Sequence, residues 1–375
     1  MTLVLAIVVA AVWAGLALAR GGFWRFRERD EGPLPDRFDW PAVAIVVPAR
    51  DEADVIARTV AGLLAQDYPG AFRVIVIDDA SSDGTAAAAR GVPDVHGRLR
   101  VVAAPPRAAG WTGKLWALDR GIATAGYPKY FWLTDADIGH APDNLRRLVA
   151  RAEAGHLALV SLMARLNCDS LAERALIPAF VYFFALLYPF GRVNDVHDRL
   201  AGAAGGCVLV RRDLLAASGG LAGIRGALID DCSLAAQIKP YGPLWLGLSR
   251  RAVSLRPYAF NDIRRMVARS AYAQLGFSPV ALAATLAGLA LVYLAPPGLA
   301  LFASGTAQAL GAAAWLVMAV TLLPILRFYG ASPLWAPALP LIALTYAGFT
   351  LDSAVQHWRG RGGMWKGRAQ APATQ

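Results

Sequence analysis

From Gly276 to Gln356 the chain carries only two formal charges, Arg327 and Asp352. No water-exposed surface of that length is so apolar, and the hydrocarbon of a bilayer is the solvent that suits it. A second uncharged run, Thr2 to Ala19, has about the length that crosses a bilayer and is followed by Arg20, Arg25, Arg27 and Arg29. Ala17-Leu18-Ala19 looks like a signal-peptide cleavage site, but no positive charge precedes the apolar run as a secretory signal requires. We therefore read it as a membrane anchor whose trailing arginines place the next domain in the cytoplasm. With 375 residues, 56% hydrophobic and 17% charged, neither a wholly soluble nor a disordered chain is expected.

The C-terminal apolar region divides at Pro296-Pro297-Gly298 and near Gly330-Ala331-Ser332-Pro333, which predicts segments near 277–295, 299–326 and 334–355. Three crossings would carry the basic tail of Arg359, Arg361, Lys366 and Arg368 outside, against the charge bias that orients the anchor. One segment is then re-entrant or interfacial, and the proline-broken first is the candidate. The expected organisation is an anchor at 1–20, a basic linker at 21–40, a catalytic domain at 41–275, membrane segments at 276–356 and a basic tail at 357–375.

A net charge of +10 comes almost wholly from arginine, since only Lys114, Lys129, Lys239 and Lys366 are lysines. Codon bias explains such a composition, and so does attraction to anionic headgroups or a phosphorylated substrate; there is no basic aromatic stripe for nucleic acid. The three cysteines lack CxxC or zinc-like spacing, which disfavours a disulfide scaffold and a structural zinc site.

Between anchor and membrane region, β-branched runs alternate with amphipathic stretches. Strands are predicted at 43–47, 74–77, 99–102 and 130–133, with helices at 54–66, 85–90 and 113–125. This βαβα order implies a mainly parallel sheet covered by helices, with ligands bound beyond the carboxyl ends of the strands. Pro48-Ala49-Arg50-Asp51-Glu52 follows the first strand and Asp78-Asp79 the second. Adjacent carboxylates repel, a cost that makes sense if one of them accepts a hydrogen bond from a nucleoside. Asp83-Gly84-Thr85 reads as a turn and helix cap.

The fourth strand runs into Thr134-Asp135-Ala136-Asp137, whose two carboxylates point to one side in extended backbone and suit a hard cation such as magnesium or manganese together with diphosphate oxygens. His140 is either a further ligand or a capping residue. Gly110-Trp111-Thr112-Gly113-Lys114 opens a helix where close backbone approach and a lysine favour phosphate, without P-loop spacing. Asp230-Asp231 opens another helix; one carboxylate caps it, and the other is free to act as general base.

The ordered set PARDE, VIDDASSDGT, GWTGKLWAL, LTDAD and IDDCSLA resembles the family 2 glycosyltransferases of GT-A fold. With AGGCVLVRRD and RPYAFNDIRRMVAR, it is similar to the hopene-associated glycosyltransferases of hopanoid-producing bacteria, over roughly residues 40 to 280. The resemblance implies a GT-A nucleotide-diphospho-sugar transferase fold with terminal transmembrane helices, in a bacterial inner membrane. It also implies that Pro48, Arg50, Glu52, Asp78 and Asp79 border a nucleotide pocket, with Lys114 and Asp135 nearby, and that Asp137 holds Mg2+ or Mn2+. Gly205 and Gly206 would border sugar or acceptor, and Asp231 would be the base. The family's Gln-Arg-Trp motif has no tryptophan here, so Arg264, Arg265 and Arg269, with Asp230, are the candidates for diphosphate or acceptor contact.

The activity expected is inverting transfer of a sugar from a nucleotide-sugar, a UDP-sugar foremost, to a lipid hydroxyl. The apolar stretch Ala175 to Phe190 inside the catalytic region reads as an interfacial helix at the acceptor entrance or as a core helix. Competing readings are a polysaccharide or other glycolipid synthase, a nucleotidyltransferase, and a non-catalytic membrane scaffold. The transfer scheme requires Asp79, Asp137 and Asp231 to converge around one cation at a single mouth.

Overall fold

The computed structural model describes residues 1–33, 39–364 and 366. Eight strands form one sheet: β1 (Val43–Ala49), β2 (Phe72–Asp78), β3 (Leu99–Ala103), β4 (Tyr130–Thr134), β5 (Ile138–His140), β6 (Leu159–Arg165), β7 (Cys207–Arg211) and β8 (Leu244–Ser254), in the order β3-β2-β1-β4-β7-β6-β8-β5. The first four are parallel neighbours, as the alternating pattern predicts. β7 runs antiparallel to both β4 and β6, and β8 lies parallel to β6. This half of the sheet was not legible as βα repeats because β7 reverses direction.

Every residue of β1 is buried. Ile45 and Val47 join Val74, Val76 and Trp132 in the core on one face, while Ala44 and Val46 join Ile75, Ile77 and Leu133 on the other. A central strand covered on both faces reads as an unbroken apolar run for this reason. The helix Gly113–Thr124 settles directly on it: a Cβ at Gly121 would lie 2.3 Å from Val46 Cγ1.

β1 extends two residues beyond the predicted end, so Pro48 lies inside the strand and buried. The Ala49 carbonyl accepts from the Asp79 amide of the β2 side at 2.8 Å, so Pro48 faces the β4 side, where pairing ends at Val46. No ladder bond is lost to its missing N–H.

Among the described residues, four helical stretches are long and apolar enough to cross a membrane: Thr2–Ala19, Pro279–Phe302, Gly305–Tyr329 and Pro333–Trp358. Pro296-Pro297 does not end the first C-terminal segment. A π-helical turn at Ala290–Leu294 leads into the helix Ala295–Phe302, whose first turn contains the prolines, where missing N–H groups cost little. The first three stretches run between the α/β domain and a far end marked by the packing of Ala6, Leu299 and Ala307.

The last stretch does not. The Tyr329 carbonyl accepts from Arg165 and the Phe328 carbonyl from Arg250, both on the α/β domain. The chain then dips until the Pro337 carbonyl accepts from Trp315 Nε1 at 3.0 Å, near the middle of the preceding helix. It returns with Asp352 paired to Arg264 at 3.0 Å and Ser353 bonded to the Tyr272 amide. The last stretch thus begins near Tyr329 and ends near Tyr272 on the same side, against the α/β domain, and Lys366 of the basic tail also ends there.

The stretch expected at the interface forms the helix Leu171–Leu187, started by a Ser170–Glu173 capping box. It is mostly sandwiched, with the Tyr182 hydroxyl 2.9 Å from Thr321 Oγ1 and the Tyr346 hydroxyl donating to the Leu176 carbonyl at 2.8 Å. Leu171 and Leu187 at its two ends are exposed.

Candidate active site

Topology gathers the site. β1, β2 and β4 deliver Arg50-Asp51-Glu52, Asp78-Asp79 and Asp135-Asp137 to one edge. Because β7 is antiparallel, its beginning pairs with the end of β4, Cys207 opposite Thr134, and Gly205-Gly206 arrive at the same edge. β8, parallel to β6 and thus to β4, ends there too and brings Arg256.

Lys114 is the hub of the site. Its Nζ lies 2.8 Å from Asp135 Oδ1 and 3.1 Å from Asp230 Oδ2. Burial alone would depress its pKa, but Asp135 and Asp230 more than reverse this and hold the ammonium charged. The lysine thus arrives with its charge already shared between two carboxylates. Thr112, whose hydroxyl accepts from the Leu115 amide, caps the helix that carries it.

Asp230 and Asp231 divide roles in a way their adjacency does not reveal. Asp230 makes no cap bond; burial would raise its pKa, but Lys114 and then Arg269 hold it below the usual carboxylate range. Asp231 accepts the Gly205 amide at Oδ2 and the Cys232 amide at Oδ1, each at 2.8 Å. Burial, then the neighbouring Asp230 charge, raises its pKa despite those bonds and Lys114. Lys114, Thr134, Asp135, Gly205, Asp230 and Asp231 share one small cavity. A carboxylate in that setting is a proton acceptor of raised basicity.

A second charged cluster flanks the first. Glu52, 7% exposed, holds Arg256 on Oε2 and Lys366 on Oε1, the latter at 2.7 Å. Arg256 also reaches Asp54 at 2.7 Å and Asp137 at 3.8 Å. Burial raises Asp137, and Asp135 raises it further. A carboxylate so disfavoured as an anion beside a second one suits a cation, with the remaining positions left to phosphate oxygens and water. Among the described residues no three carboxylate, histidine or cysteine side chains cluster as a ready-made metal cage. The carboxylates are strung along one mouth, bridged by Lys114 and Arg256.

At the far end of the mouth, Arg50 Nη1 donates to the Asp79 and Ala80 carbonyls at 2.5 and 3.2 Å. Asp79 is buried, and Asp78 Oδ1 is buried without a hydrogen-bond partner among the described residues, an acceptor fit for a nucleoside donor. Asp83 forms the predicted turn, accepting from the Thr85 amide and hydroxyl, and also ties down the Ala53 amide.

His140 is not a ligand. The Thr134 hydroxyl donates to the Gly206 carbonyl at 2.8 Å, so His140 Nε2–H donates to Thr134 at 2.7 Å, and His140 Nδ1 accepts from Asn144 at 3.0 Å. Burial drives the imidazole to about 3, hence neutral. Of the three arginines proposed for the diphosphate, only Arg269 lines the site, in a cavity with Thr112, Lys114, Asp230 and Gly363. Arg264 is committed to Asp352, and Arg265 is exposed and paired with Asp262. Arg256 and Lys366 were missed as site residues. Arg256 begins the RPYAF motif and Lys366 is one of only four lysines, signals that pointed to them without placing them.

The glycosyl transferase family 2 model matches residues 44–219. The succinoglycan biosynthesis protein ExoO of Rhizobium meliloti is 34% identical over 175 residues, 42% of this chain and 48% of that one. The beta-monoglucosyldiacylglycerol synthase of Synechocystis is 36% identical over 112 residues, 29% of this chain and 22% of that one. The matches thus span about half the length of these curated relatives or less. The solved mannosyltransferase PcManGT from Pyrobaculum calidifontis, in complex with GDP-Man and Mn2+, superposes with a TM-score of 0.58 at 23% identity, covering 95% of this chain and 98% of that one. The fold is GT-A-like, terminal hydrophobic helices included.

Proposed function

We propose that the glycosyl transferase family 2 domain of this chain is a membrane-bound inverting transferase that moves a sugar from a nucleotide-sugar to a lipid hydroxyl. The observation that carries the reading is Asp231: half-buried, raised in pKa, held by two backbone amides, and placed in one cavity with Lys114 and Asp135. Asp231 takes the proton of the acceptor hydroxyl as that oxygen attacks the anomeric carbon. The bond to the nucleoside diphosphate breaks on the opposite side, which inverts the centre. Asp137 and Asp135 would hold Mg2+ or Mn2+, which when bound offsets negative charge on the departing diphosphate. Lys114 and Arg269 add fixed positive charge on the same side, and Asp78, Asp79 and Arg50 border the nucleoside.

A lipid acceptor is supported by the four apolar helical stretches attached to the α/β domain, the last of them through the Arg264–Asp352 pair. The relative named as a glycolipid synthase agrees, and the motif likeness to hopene-associated enzymes supports a hopanoid-related acceptor. A succinoglycan-type product built on a lipid carrier is the second reading, favoured by the relative named for that polymer. The domain is proposed to face the cytoplasm, with Arg20, Arg25, Arg27 and Arg29 on its side of the anchor.

The test is to incubate membranes containing the protein with UDP- and GDP-sugars and extracted lipids, and to look for a sugar mass increment on lipid. Release of nucleoside diphosphate with a glycosylated lipid is the expected outcome. Release of pyrophosphate would instead identify a nucleotidyltransferase.

A further inference from the structure

Beyond the last hydrophobic helix the chain turns back onto the site. Gly363 lines the small cavity shared by Thr112, Lys114, Asp230 and Arg269. Three residues later Lys366 Nζ lies 2.7 Å from Glu52 Oε1 and donates to the Asp51 carbonyl at 3.1 Å, while the Lys366 carbonyl accepts from Arg50 at 3.5 Å. The tail thus crosses the mouth from the Asp230 end to the nucleoside rim.

We infer that Lys366 is a donor-binding residue: a cation carried across the mouth by the C-terminal tail, which passes from Glu52 to a diphosphate oxygen when the nucleotide-sugar enters. This rests on the donor-site reading above.

Three features support the exchange. Glu52 keeps Arg256 on its other oxygen, so releasing Lys366 does not strand a buried carboxylate. Lys114 is divided between two carboxylates and Arg256 among three, whereas Lys366 holds one. Its side chain is 26% exposed on a flexible stem. A tail closed over a bound donor also keeps water from the anomeric carbon.

The experiment is calorimetric titration of the full-length, detergent-solubilised protein with UDP or GDP in Mn2+, and with the parent nucleosides. Losing one charge-assisted phosphate contact should weaken diphosphate binding about tenfold in Lys366→Ala and leave nucleoside binding unchanged, with Lys366→Arg close to wild type. Melting temperature checks that each variant is folded. Equal diphosphate affinity in Lys366→Ala would overturn the inference. So would tighter binding, which would make the tail a plug that excludes the donor. Wild-type protein that binds neither nucleotide would overturn the donor-site reading, and the role of Lys366 with it.

Discussion

Gly205 donates its amide to Asp231 Oδ2 at 2.8 Å, joining the entry to β7 to the start of the helix Asp230–Ile238. A side chain here would crowd the pair: a Cβ on Gly205 would lie 3.1 Å from Lys114 Nζ and 3.3 Å from Asp231 Oδ2. With the Cys232 amide on its other oxygen, the Asp231 carboxylate has one orientation and spare lone pairs for an acceptor hydroxyl.

Replacing Asp231 by Asn should cut turnover by about 10²–10⁴-fold, the usual worth of general base catalysis. Nucleotide affinity, measured by calorimetry, should stay near wild type. Parallel loss of both would remove the base assignment.

The pH profile follows from the raised pKa of Asp231. The base works ionised, so kcat/KM falls as pH drops through that pKa, with a midpoint above the ordinary aspartate value of about 3.9. Asp230→Asn removes the adjacent like charge and should move the acid limb downward. A limb unmoved by that change would argue against their coupling.

For Gly205→Ala, the added methyl must displace Lys114 or Asp231. Misplacing a catalytic group by part of an ångström costs about ten- to a hundredfold in kcat. Thermal stability should change little, which separates this outcome from unfolding.

Asp137→Ala should abolish the gain in nucleotide affinity that Mn2+ confers on wild type. Titrations with manganese and with chelator give the comparison, and an undiminished manganese effect would assign the cation elsewhere.

The dip of the last hydrophobic stretch predicts that cysteines at Ser332 and Arg361 react with an impermeant maleimide from the side of the α/β domain, and one at Ser304 from the opposite side. Cys168 is first replaced to clear the background. Labelling of positions 332 and 361 from opposite faces would establish a full crossing.

Much of this protein is written locally. An uncharged run needs hydrocarbon around it wherever it folds, and β1 declares itself by the unbroken apolar run at 43–47. Acidic residues just past apolar strands fall at a ligand edge by the geometry of parallel sheets, which is why Asp78, Asp79, Asp135 and Asp137 could be named in advance. What the linear order withholds is pairing across distance. The antiparallel entry of β7 brings Gly205 to Asp231; the end of β8 delivers Arg256 to Glu52; the return from Pro337 to Asp352 carries Lys366 to the mouth. Proline runs and charge bias were consistent with more than one path through the membrane. Hydrogen bonds at Tyr329, Trp315 and Tyr346 fix how these stretches pack on one another and on the α/β domain, and the buried one at Tyr346 matters most, because a polar group left unpaired in an apolar interior costs too much to persist.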